Sequence, residues 1–259
     1  MDSTNAKYNV PALARAHEIV RLVGEKPSRY KLMDLSRELS INKSSMFSLL
    51  QTMERLGWLQ KDQGDRYQLG VFFGRAGSSY FRQWDLVSRF HQEAAAVKRR
   101  LEETLQLGRL EGRNVFYLAK EEAPSPVRLM SEPGMTWAAY ATGLGKAMLA
   151  YKSDADIRAL FPEERLHAFT PNTVGTADEL LRELAVVREN GAATDEEEAV
   201  VGFSCAAAPV RGPDGRVVAA VSCSIPQYNW ADKKECALRE IVALARLLSY
   251  DSDTIMEER

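Results

Sequence analysis

Residues 32–56 read Leu-Met-Asp-Leu-Ser-Arg-Glu-Leu-Ser-Ile-Asn-Lys-Ser-Ser-Met-Phe-Ser-Leu-Leu-Gln-Thr-Met-Glu-Arg-Leu, a pattern typical of two short helices joined by a tight turn. In the second segment, apolar side chains recur at the spacing of one helix face, i, i+3, i+4, i+7 and i+10. These apolar residues are Met46, Leu49, Leu50, Met53 and Leu56. We therefore expect a helix that begins near Lys43 and buries this face.

The other face of the predicted helix is polar. A short helix, a turn of about three or four residues and a second helix with polar groups near its start form a unit that places a helix end in the DNA major groove. The sequence therefore predicts binding to double-stranded DNA, with Lys31, Arg55 and Arg66 contributing affinity for phosphate. The side chains expected to face the DNA on the second helix are Lys43, Ser44, Ser45, Phe47, Ser48 and Gln51.

The flanking segments complete a winged helix-turn-helix. Pro11 suits the first turn of a helix whose apolar spacing runs to Gly24, where a carboxyl-terminal cap fits. Residues 58–61 and 66–69 flank a polar, Gly-containing turn at 62–65, which predicts a β-hairpin. A three-helix bundle that packs against a neighbouring domain is the alternative interpretation of the same elements.

The charge of the chain is divided unevenly. The formal net charge of all 259 residues is −2, but residues 1–75 contain 12 Lys and Arg against 8 Asp and Glu, a net +4. The remaining residues contain 22 against 28, a net −6. This division favours nucleic-acid binding that is confined to the amino-terminal part. Because a typical domain has about 100–150 residues, the length predicts two domains.

Composition gives no sign of a metal, a disulfide or a membrane segment. Cys205, Cys223 and Cys236 show no Cys-x-x-Cys spacing, and the three histidines lie far apart in the sequence. The first residues are polar, and apolar runs of about 18 residues are absent from the sequence. We expect a soluble, cytoplasmic protein with no cofactor and no metal.

The second half of the chain alternates strands with helices. Strands are predicted on both sides of the turn at 212–215 and at residues 127–130. Thr176 and Glu179 form a predicted capping box before a helix that ends at Gly191. This mixture predicts an α+β domain with a mostly antiparallel sheet.

Residues 71–105 are predicted to be mostly helical and include aromatic residues such as Phe72 and Phe73. The aromatic group predicts packing against a second copy of the protein, because winged-helix proteins commonly bind two half-sites as dimers. Packing within one chain is the alternative.

Several short motifs follow one another along nearly the whole chain. They are Arg15-Ala16, Lys43-Ser44-Ser45, Tyr67-Gln68-Leu69-Gly70, Ala141-Thr142-Gly143-Leu144-Gly145-Lys146-Ala147, Arg188-Glu189-Asn190-Gly191, Asp195-Glu196-Glu197 followed by Gly202, and Cys205-Ala206-Ala207-Ala208-Pro209. In order and spacing these motifs resemble the IclR family of bacterial transcription regulators. The resemblance implies a winged helix-turn-helix, a linker helix and a GAF-like α+β domain that binds a small metabolite, in homodimers or homotetramers. The implied division is 1–70 for DNA binding, 71–105 for linker and dimerisation helices, 106–251 for effector binding and 252–259 for a disordered tail.

The resemblance also implies where the effector binds, between the sheet and the loops of the second domain. Gly143 and Leu144 would offer backbone N–H groups at a helix start, which favours a carboxylate. Ser222 and Ser224 alternate with Cys223, so their hydroxyls share one face of a strand; hydroxyls satisfied within the sheet are the alternative. The implied effector-binding residues are Met130, Trp137, Gly143, Leu144, Asp195, Phe203, Cys205, Ser222 and Ser224.

Some residues depart from the family pattern. Phe47 and Ser48 stand where a polar residue and an arginine often occur, which predicts an unusual operator, and Phe47 could contact a thymine methyl. Tyr140 stands where histidine is frequent, and Trp137 is close by in sequence. This aromatic pair either lines a site for a ring-containing acid or belongs to the core.

Two other functional classes compete with a regulator. An enzyme of small-metabolite metabolism is disfavoured. Residues 143–146 resemble the end of a phosphate-binding loop, but Ala147 stands where that loop needs Ser or Thr, and Tyr140 stands where it needs its first Gly. The carboxylates at 195–198 predict a solvated loop, and Cys205 has no histidine near it in sequence to act as a base. No catalytic residue is therefore expected. A sensory module without DNA binding is the other alternative.

Overall fold

The structure, a computed structural model, describes residues 10–82, 85–124 and 131–250, without the side chains of residues 78, 80–82 and 85. Within it the chain forms two compact units, one before and one after residues 83–84. The predicted strand at 127–130, Met130 and the predicted tail at 252–259 lie outside the described residues. In the described segments no helix is long and apolar enough to cross a membrane.

The first unit is a winged helix-turn-helix, as predicted. Its helices α1, α2 and α3 are followed by a two-stranded hairpin and by helix α4. The bounds are α1 Pro11–Glu25, α2 Leu32–Glu38, α3 Lys43–Arg55, β1 Leu59–Lys61, β2 Tyr67–Leu69 and α4 Val71–Arg82.

Helix α3 begins where the sequence predicted, and Asn42 is the reason. The Asn42 side chain accepts a hydrogen bond from the Ser45 backbone N–H (2.8 Å), which satisfies one of the donors left free at a helix start. Met46, Leu50 and Met53 are buried in the core of the unit. The prediction for Leu56 was wrong: α3 ends one residue earlier, and Leu56 is 54% exposed.

Helix α1 passes through Gly24, so the predicted cap at this residue was also wrong. The helix ends at Glu25, and the Lys26 N–H donates to the Leu22 carbonyl. A Cβ at Gly24 would lie 3.5 Å from the Leu69 side chain, an ordinary van der Waals distance. A glycine inside a helix is tolerated at modest cost, and this one does not end the helix.

The second strand of the hairpin is attached to the loop between α1 and α2. Tyr67 donates its N–H to the Tyr30 carbonyl (2.9 Å) and accepts from the Ser28 N–H (3.2 Å). At the tip, the Asp62 side chain accepts from the backbone N–H groups of Gly64 (2.8 Å) and Arg66 (3.0 Å). The turn is therefore closed by its own residues and presents Arg66 to solvent.

The second unit is a six-stranded antiparallel sheet between two layers of helices. The strand order is β5-β4-β3-β8-β7-β6. Helices α5 and α9 pack on the sheet from one side, and α6 packs on it with α8 lying against α6. The bounds are α5 Asp85–Leu101, β3 Thr104–Glu111, β4 Asn114–Glu121, β5 Thr136–Ala138, α6 Gly143–Leu149, α7 Asp154–Leu160, α8 Ala177–Asn190, β6 Ala193–Glu196, β7 Phe203–Arg211, β8 Val217–Pro226 and α9 Gln227–Leu248.

The predicted start and end of α8 are present with one difference. Thr176 caps the helix through the Glu179 N–H (3.2 Å), but the Glu179 carboxylate accepts from Gly175 (3.0 Å) and not from Thr176. Gly191 ends the helix with a φ of 69°, a left-handed conformation that glycine adopts without a steric penalty. The predicted linker segment 71–105 is divided, since α4 lies in the first unit and α5 in the second.

Candidate functional site

The outward face of α3 carries the predicted DNA-facing residues. Ser45 is half-buried, and the Phe47 side chain is 54% exposed. An exposed phenylalanine in the middle of a helix face is available for apolar contact with a partner. The fully exposed members of the predicted set on α3 are Lys43, Ser44, Phe47, Ser48, Gln51 and Arg55.

The serine hydroxyls of this face are engaged with their own helix. Ser44 donates to the Asn42 side chain (2.9 Å) and Ser48 donates to the Ser44 carbonyl (3.1 Å). Their hydroxyl oxygens can still accept hydrogen bonds. Within the part of the chain that the structure describes, the predicted side chains on α3 whose donor hydrogens have no partner are those of Lys43, Ser45, Gln51 and Arg55.

The four cations predicted to contact phosphate are all exposed. Lys31, Lys43, Arg55 and Arg66 form no salt bridge within the part of the chain that the structure describes. Arg29 shares this property and lies over the Tyr30 ring at 5.7 Å; the sequence did not single it out, because no periodic pattern marks a loop residue. The charges that the first unit pairs internally are on Arg21, Arg37 and Lys61.

A small cavity of about 80 Å³ lies in the second unit, between the sheet and the start of α6. It brings together all eight described residues of the predicted effector site: Trp137, Gly143, Leu144, Asp195, Phe203, Cys205, Ser222 and Ser224. The sequence missed six further lining residues, which are Gln106, Tyr117, Ser131, Thr142, Ala199 and Val200.

Strand register explains why these residues meet. Cys205 lies directly opposite Asp195 on one side and Ser224 on the other, and Ser222 lies opposite Gln106. Side chains of directly paired residues point to the same face of a sheet. Polar side chains from four adjacent strands, β3, β8, β7 and β6, therefore lie together on one face of the sheet.

A chain of hydrogen bonds connects the polar side chains on this face of the sheet, but the Ser222 hydroxyl is not part of it. Ser224 Oγ donates to Gln106 Oε1 (3.2 Å) and lies 3.2 Å from Cys205 Sγ, while the Gln106 amide donates to Ser131 Oγ. Ser222 is 1% exposed, and its hydroxyl has no hydrogen-bond partner among the described residues. The alternative, in which the hydroxyls form hydrogen bonds within the sheet, therefore holds for Ser224 and not for Ser222.

The start of α6 closes the cavity against the sheet. Thr142 caps this helix by accepting from the Gly145 N–H (3.1 Å). A Cβ at Gly143 would lie 3.3 Å from the Ala207 Cβ and 3.7 Å from the Asp195 Cβ, so only glycine fits here without crowding. The N–H groups of Gly143 and Leu144 belong to the first turn and have no acceptor within the helix.

Asp195 is buried, so the predicted solvated loop at 195–198 was wrong at this position. Only 3% of the residue is exposed, and its Oδ1 accepts from the Glu198 N–H (2.8 Å). Burial disfavours the charged form and raises the pKa of Asp195 to about 7. The carboxyl group is therefore divided between its two protonation states at neutral pH.

Glu198 is buried as well, and its partner is distant in sequence. Lys146, itself 2% exposed, forms salt bridges to Glu198 and to Glu183 (2.7 Å). These contacts join α6 to α8 and to the turn after β6. Lys146 had been considered only as part of a phosphate-binding loop, and the structure gives it a different role.

Of the two aromatic residues Tyr140 and Trp137, one belongs to the core and the other lines the cavity. Tyr140 is 5% exposed, donates to the His167 carbonyl (2.8 Å) and packs edge-on against Phe161, which makes it part of the core. Trp137 is half-buried and lines the cavity. The Cys205 thiol also faces the cavity, and burial raises its pKa well above the usual range.

Comparison with known proteins finds the same division of the chain. The IclR helix-turn-helix domain matches residues 12–63, and the bacterial transcriptional regulator IclR carboxyl-terminal domain matches residues 78–250. The transcriptional regulator XynR of Escherichia coli is 30% identical over 247 residues, which cover 93% of this chain and 98% of XynR.

Solved structures agree in fold. An IclR transcriptional regulator from Alicyclobacillus acidocaldarius superposes with a TM-score of 0.80 at 28% identity, covering 93% of this chain and 98% of that one. An IclR homologue from Microbacterium hydrocarbonoxydans, solved with 4-hydroxybenzoate, gives a TM-score of 0.79 at 20% identity, covering 92% and 97%. At the latter identity the likeness concerns the fold alone.

Proposed function

Since the chain belongs to the IclR family of bacterial transcriptional regulators, we propose that it binds operator DNA through α3 and the hairpin, and that a small carboxylic acid in the cavity modulates this binding. Members of the family combine a helix-turn-helix DNA-binding domain with a carboxyl-terminal effector-binding domain, and both are matched in this chain. The residues assigned to each role are proposals that rest on geometry.

The observation that carries the effector proposal is the hydroxyl of Ser222. Ser222 lines the cavity, and its hydroxyl forms no hydrogen bond to the described residues, so it is available to a ligand. Gly143 and Leu144 line the same cavity, and their backbone N–H groups have no acceptor within α6. A carboxylate oxygen accepts from O–H and N–H donors alike, which makes it a suitable occupant.

The size of the cavity restricts the acid. A volume of about 80 Å³ is small beside the roughly 300–1,000 Å³ of sites for drug-sized ligands. We therefore propose a compact monocarboxylic acid. The panel for testing consists of acetate, lactate, pyruvate, butanoate, benzoate and 4-hydroxybenzoate, the last because the Microbacterium homologue was solved with it.

The DNA proposal rests on the four unpaired cations. Lys43 and Arg55 lie on the exposed face of α3, while Lys31 directly precedes α2 and Arg66 lies in the hairpin turn. Cations that lack an internal partner can neutralise DNA phosphates, and this makes affinity fall with added salt. Phe47 would then contact base edges, since an apolar side chain fits the thymine methyl.

We further propose that the protein acts as a homodimer or homotetramer in the cytoplasm, where the bacterial chromosome lies. Apolar side chains remain exposed at the junction of the hairpin and α4: Val71 is 59% exposed and Phe72, which stacks on Trp58 at 5.4 Å, is 40% exposed. An apolar surface of this kind commonly marks a protein contact. A second copy would also double the DNA contacts across a symmetric operator.

Catalysis forms no part of the proposal. XynR is named a transcriptional regulator, and the raised pKa of the Cys205 thiol keeps it protonated at neutral pH, whereas the thiolate is the nucleophile.

A retardation assay tests both halves. DNA from upstream of the protein's own coding region is mixed with the protein at several salt concentrations, with and without each acid of the panel. We expect salt-dependent retardation that at least one acid changes. Absence of retardation would remove the DNA half; retardation that no acid alters would remove the effector half.

A further inference from the structure

The cavity wall contains a carboxyl group but, among the described residues, no cationic side chain. Asp195 supplies that carboxyl, and the other polar groups of the wall are amides, hydroxyls, the Trp137 indole N–H and the Cys205 thiol. Because the cavity is small, an acid bound inside it must lie close to Asp195. The geometry therefore places two carboxyl groups together without a counter-ion.

The groups around Asp195 do not supply the missing positive charge. Lys146 of α6 is the cation that acts on Asp195, but it already pairs with Glu198, in the turn after β6, and with Glu183 of α8. These residues contribute three carboxyl groups against one ammonium group before any ligand binds. The ionised form of a bound acid would add a further negative charge.

The remaining titratable neighbours stay neutral. Cys205 of β7 lies directly opposite Asp195, and Tyr117 of β4 is close enough for the charge of Asp195 to act on it. Burial raises the pKa of both groups well above their usual ranges. The negative charge therefore has to be removed at Asp195 or at the acid.

We propose that Asp195 and the bound acid share one proton, so that binding above neutral pH takes up a proton and the site favours monocarboxylic over dicarboxylic acids. Two carboxylates held together retain one proton between them, because both cannot remain ionised at short range. The proton comes from solvent or buffer and forms the O–H bond of the Asp195 carboxyl group, which then donates to the acid. The inference rests on the proposed carboxylic-acid effector.

Calorimetric titration measures this proton directly. The wild-type chain is titrated with each acid of the panel at a pH above the pKa of Asp195. The titration is done in phosphate and in Tris buffer, whose ionisation enthalpies differ. The difference in observed heat gives the number of protons taken up, which we expect to be about one per acid. Above the pKa of Asp195, affinity should fall about tenfold per pH unit.

Variants assign the proton to a residue. Asp195→Asn keeps a hydrogen-bond donor, so it should bind the acid with no proton uptake and no dependence on pH. Glu196→Gln is the matched control and should retain the uptake, because Glu196 is an exposed residue of the same strand and pairs with Lys234. Glu198→Gln should also retain it, and loss of uptake there with retention in Asp195→Asn would overturn the assignment.

The outcomes separate this inference from the function it rests on. If no acid of the panel binds, the proposed effector class fails. If an acid binds the wild type without proton uptake, only the shared proton is overturned, and this result does not depend on the folding of any variant. Arg128 lies outside the described residues, and proton uptake by the Arg128→Gln variant shows whether this cation replaces the proton in the wild type.

Succinate, tested beside butanoate, should bind at least about tenfold more weakly, since its second charge has no partner.

Discussion

Cys205 lies directly opposite Ser224 in the register of β7 and β8, with its sulfur 3.2 Å from the serine hydroxyl. Ser224 also donates to Gln106, so its hydroxyl is engaged on both sides. Ser222, two residues earlier on the same face, has no such partner among the described residues. Two serines that look equivalent in the sequence therefore serve different purposes, one in the sheet and one at the cavity.

The two serines should respond differently to replacement by alanine. Ser222→Ala should weaken acid binding about tenfold or more, because a hydrogen bond to a charged group contributes about 1.5–3 kcal/mol, and it should leave stability nearly unchanged. Ser224→Ala should instead lower the free energy of unfolding by about 1 kcal/mol. Calorimetric titration and urea denaturation measure the two effects.

Ser204→Ala is the control for this pair. Ser204 is fully buried on β7, and its hydroxyl donates to Gln227 outside the cavity lining. The change should leave acid affinity as it is in the wild type. Equal acid affinity in Ser222→Ala and the wild type would remove Ser222 from the proposed site.

Two helical glycines provide a test of the packing at α6. A Cβ at Gly145 would lie 2.0 Å from the Ala139 carbonyl oxygen, so Gly145→Ala must displace the turn before the helix. We expect it to destabilise the second unit by about 3 kcal/mol or more. Gly74→Ala in α4 meets nothing within 4 Å and should stabilise the first unit by about 0.5–1 kcal/mol. Thermal unfolding followed by circular dichroism distinguishes them; a mild effect of Gly145→Ala would contradict the packing described for α6.

The helix-turn-helix could be predicted because its signals are local. The apolar spacing of Met46, Leu50 and Met53 predicted both the helix and its buried face, and these residues are buried. The carboxylates at 195–198 were misjudged, because burial of Glu198 depends on Lys146, 52 residues away. Gln106 was missed for a related reason: one polar residue on a strand has no local motif, and only its register opposite Ser222 brings it to the cavity.

The unpaired cations should determine how DNA affinity depends on salt. Each of Lys43→Ala, Arg55→Ala and Arg66→Ala should weaken binding and reduce the slope of log affinity against log salt by about one. Arg37→Ala is the matched control, since Arg37 already pairs with Asp34 at 3.2 Å and should change the slope less. Fluorescence anisotropy with labelled upstream DNA provides the slopes. An unchanged slope in all three variants would place the DNA contact elsewhere.

Burial of Asp195 should make the second unit less stable as pH rises from about 4 to about 7. The pKa of Asp195 is about 7 in the folded chain, whereas the ordinary value for an unburied aspartate, as in the unfolded chain, is 3.8. The folded state therefore holds the proton more tightly. The unfolded state binds fewer protons between these two values, and stability therefore falls with increasing pH across that window and levels off above about pH 7. The total loss is up to about 4 kcal/mol, since each pKa unit corresponds to about 1.4 kcal/mol.

Asp195→Asn isolates this contribution from the other carboxyl groups. Asparagine keeps an oxygen that can accept from the Glu198 N–H but has no charge to bury. Urea denaturation should find the variant and the wild type similar in stability near pH 4, and the variant more stable near pH 8. A difference between the two proteins that is the same at both pH values would mean that Asp195 does not titrate in this window. In that case the carboxyl group would be ionised throughout, and the cavity would repel an anionic acid at neutral pH.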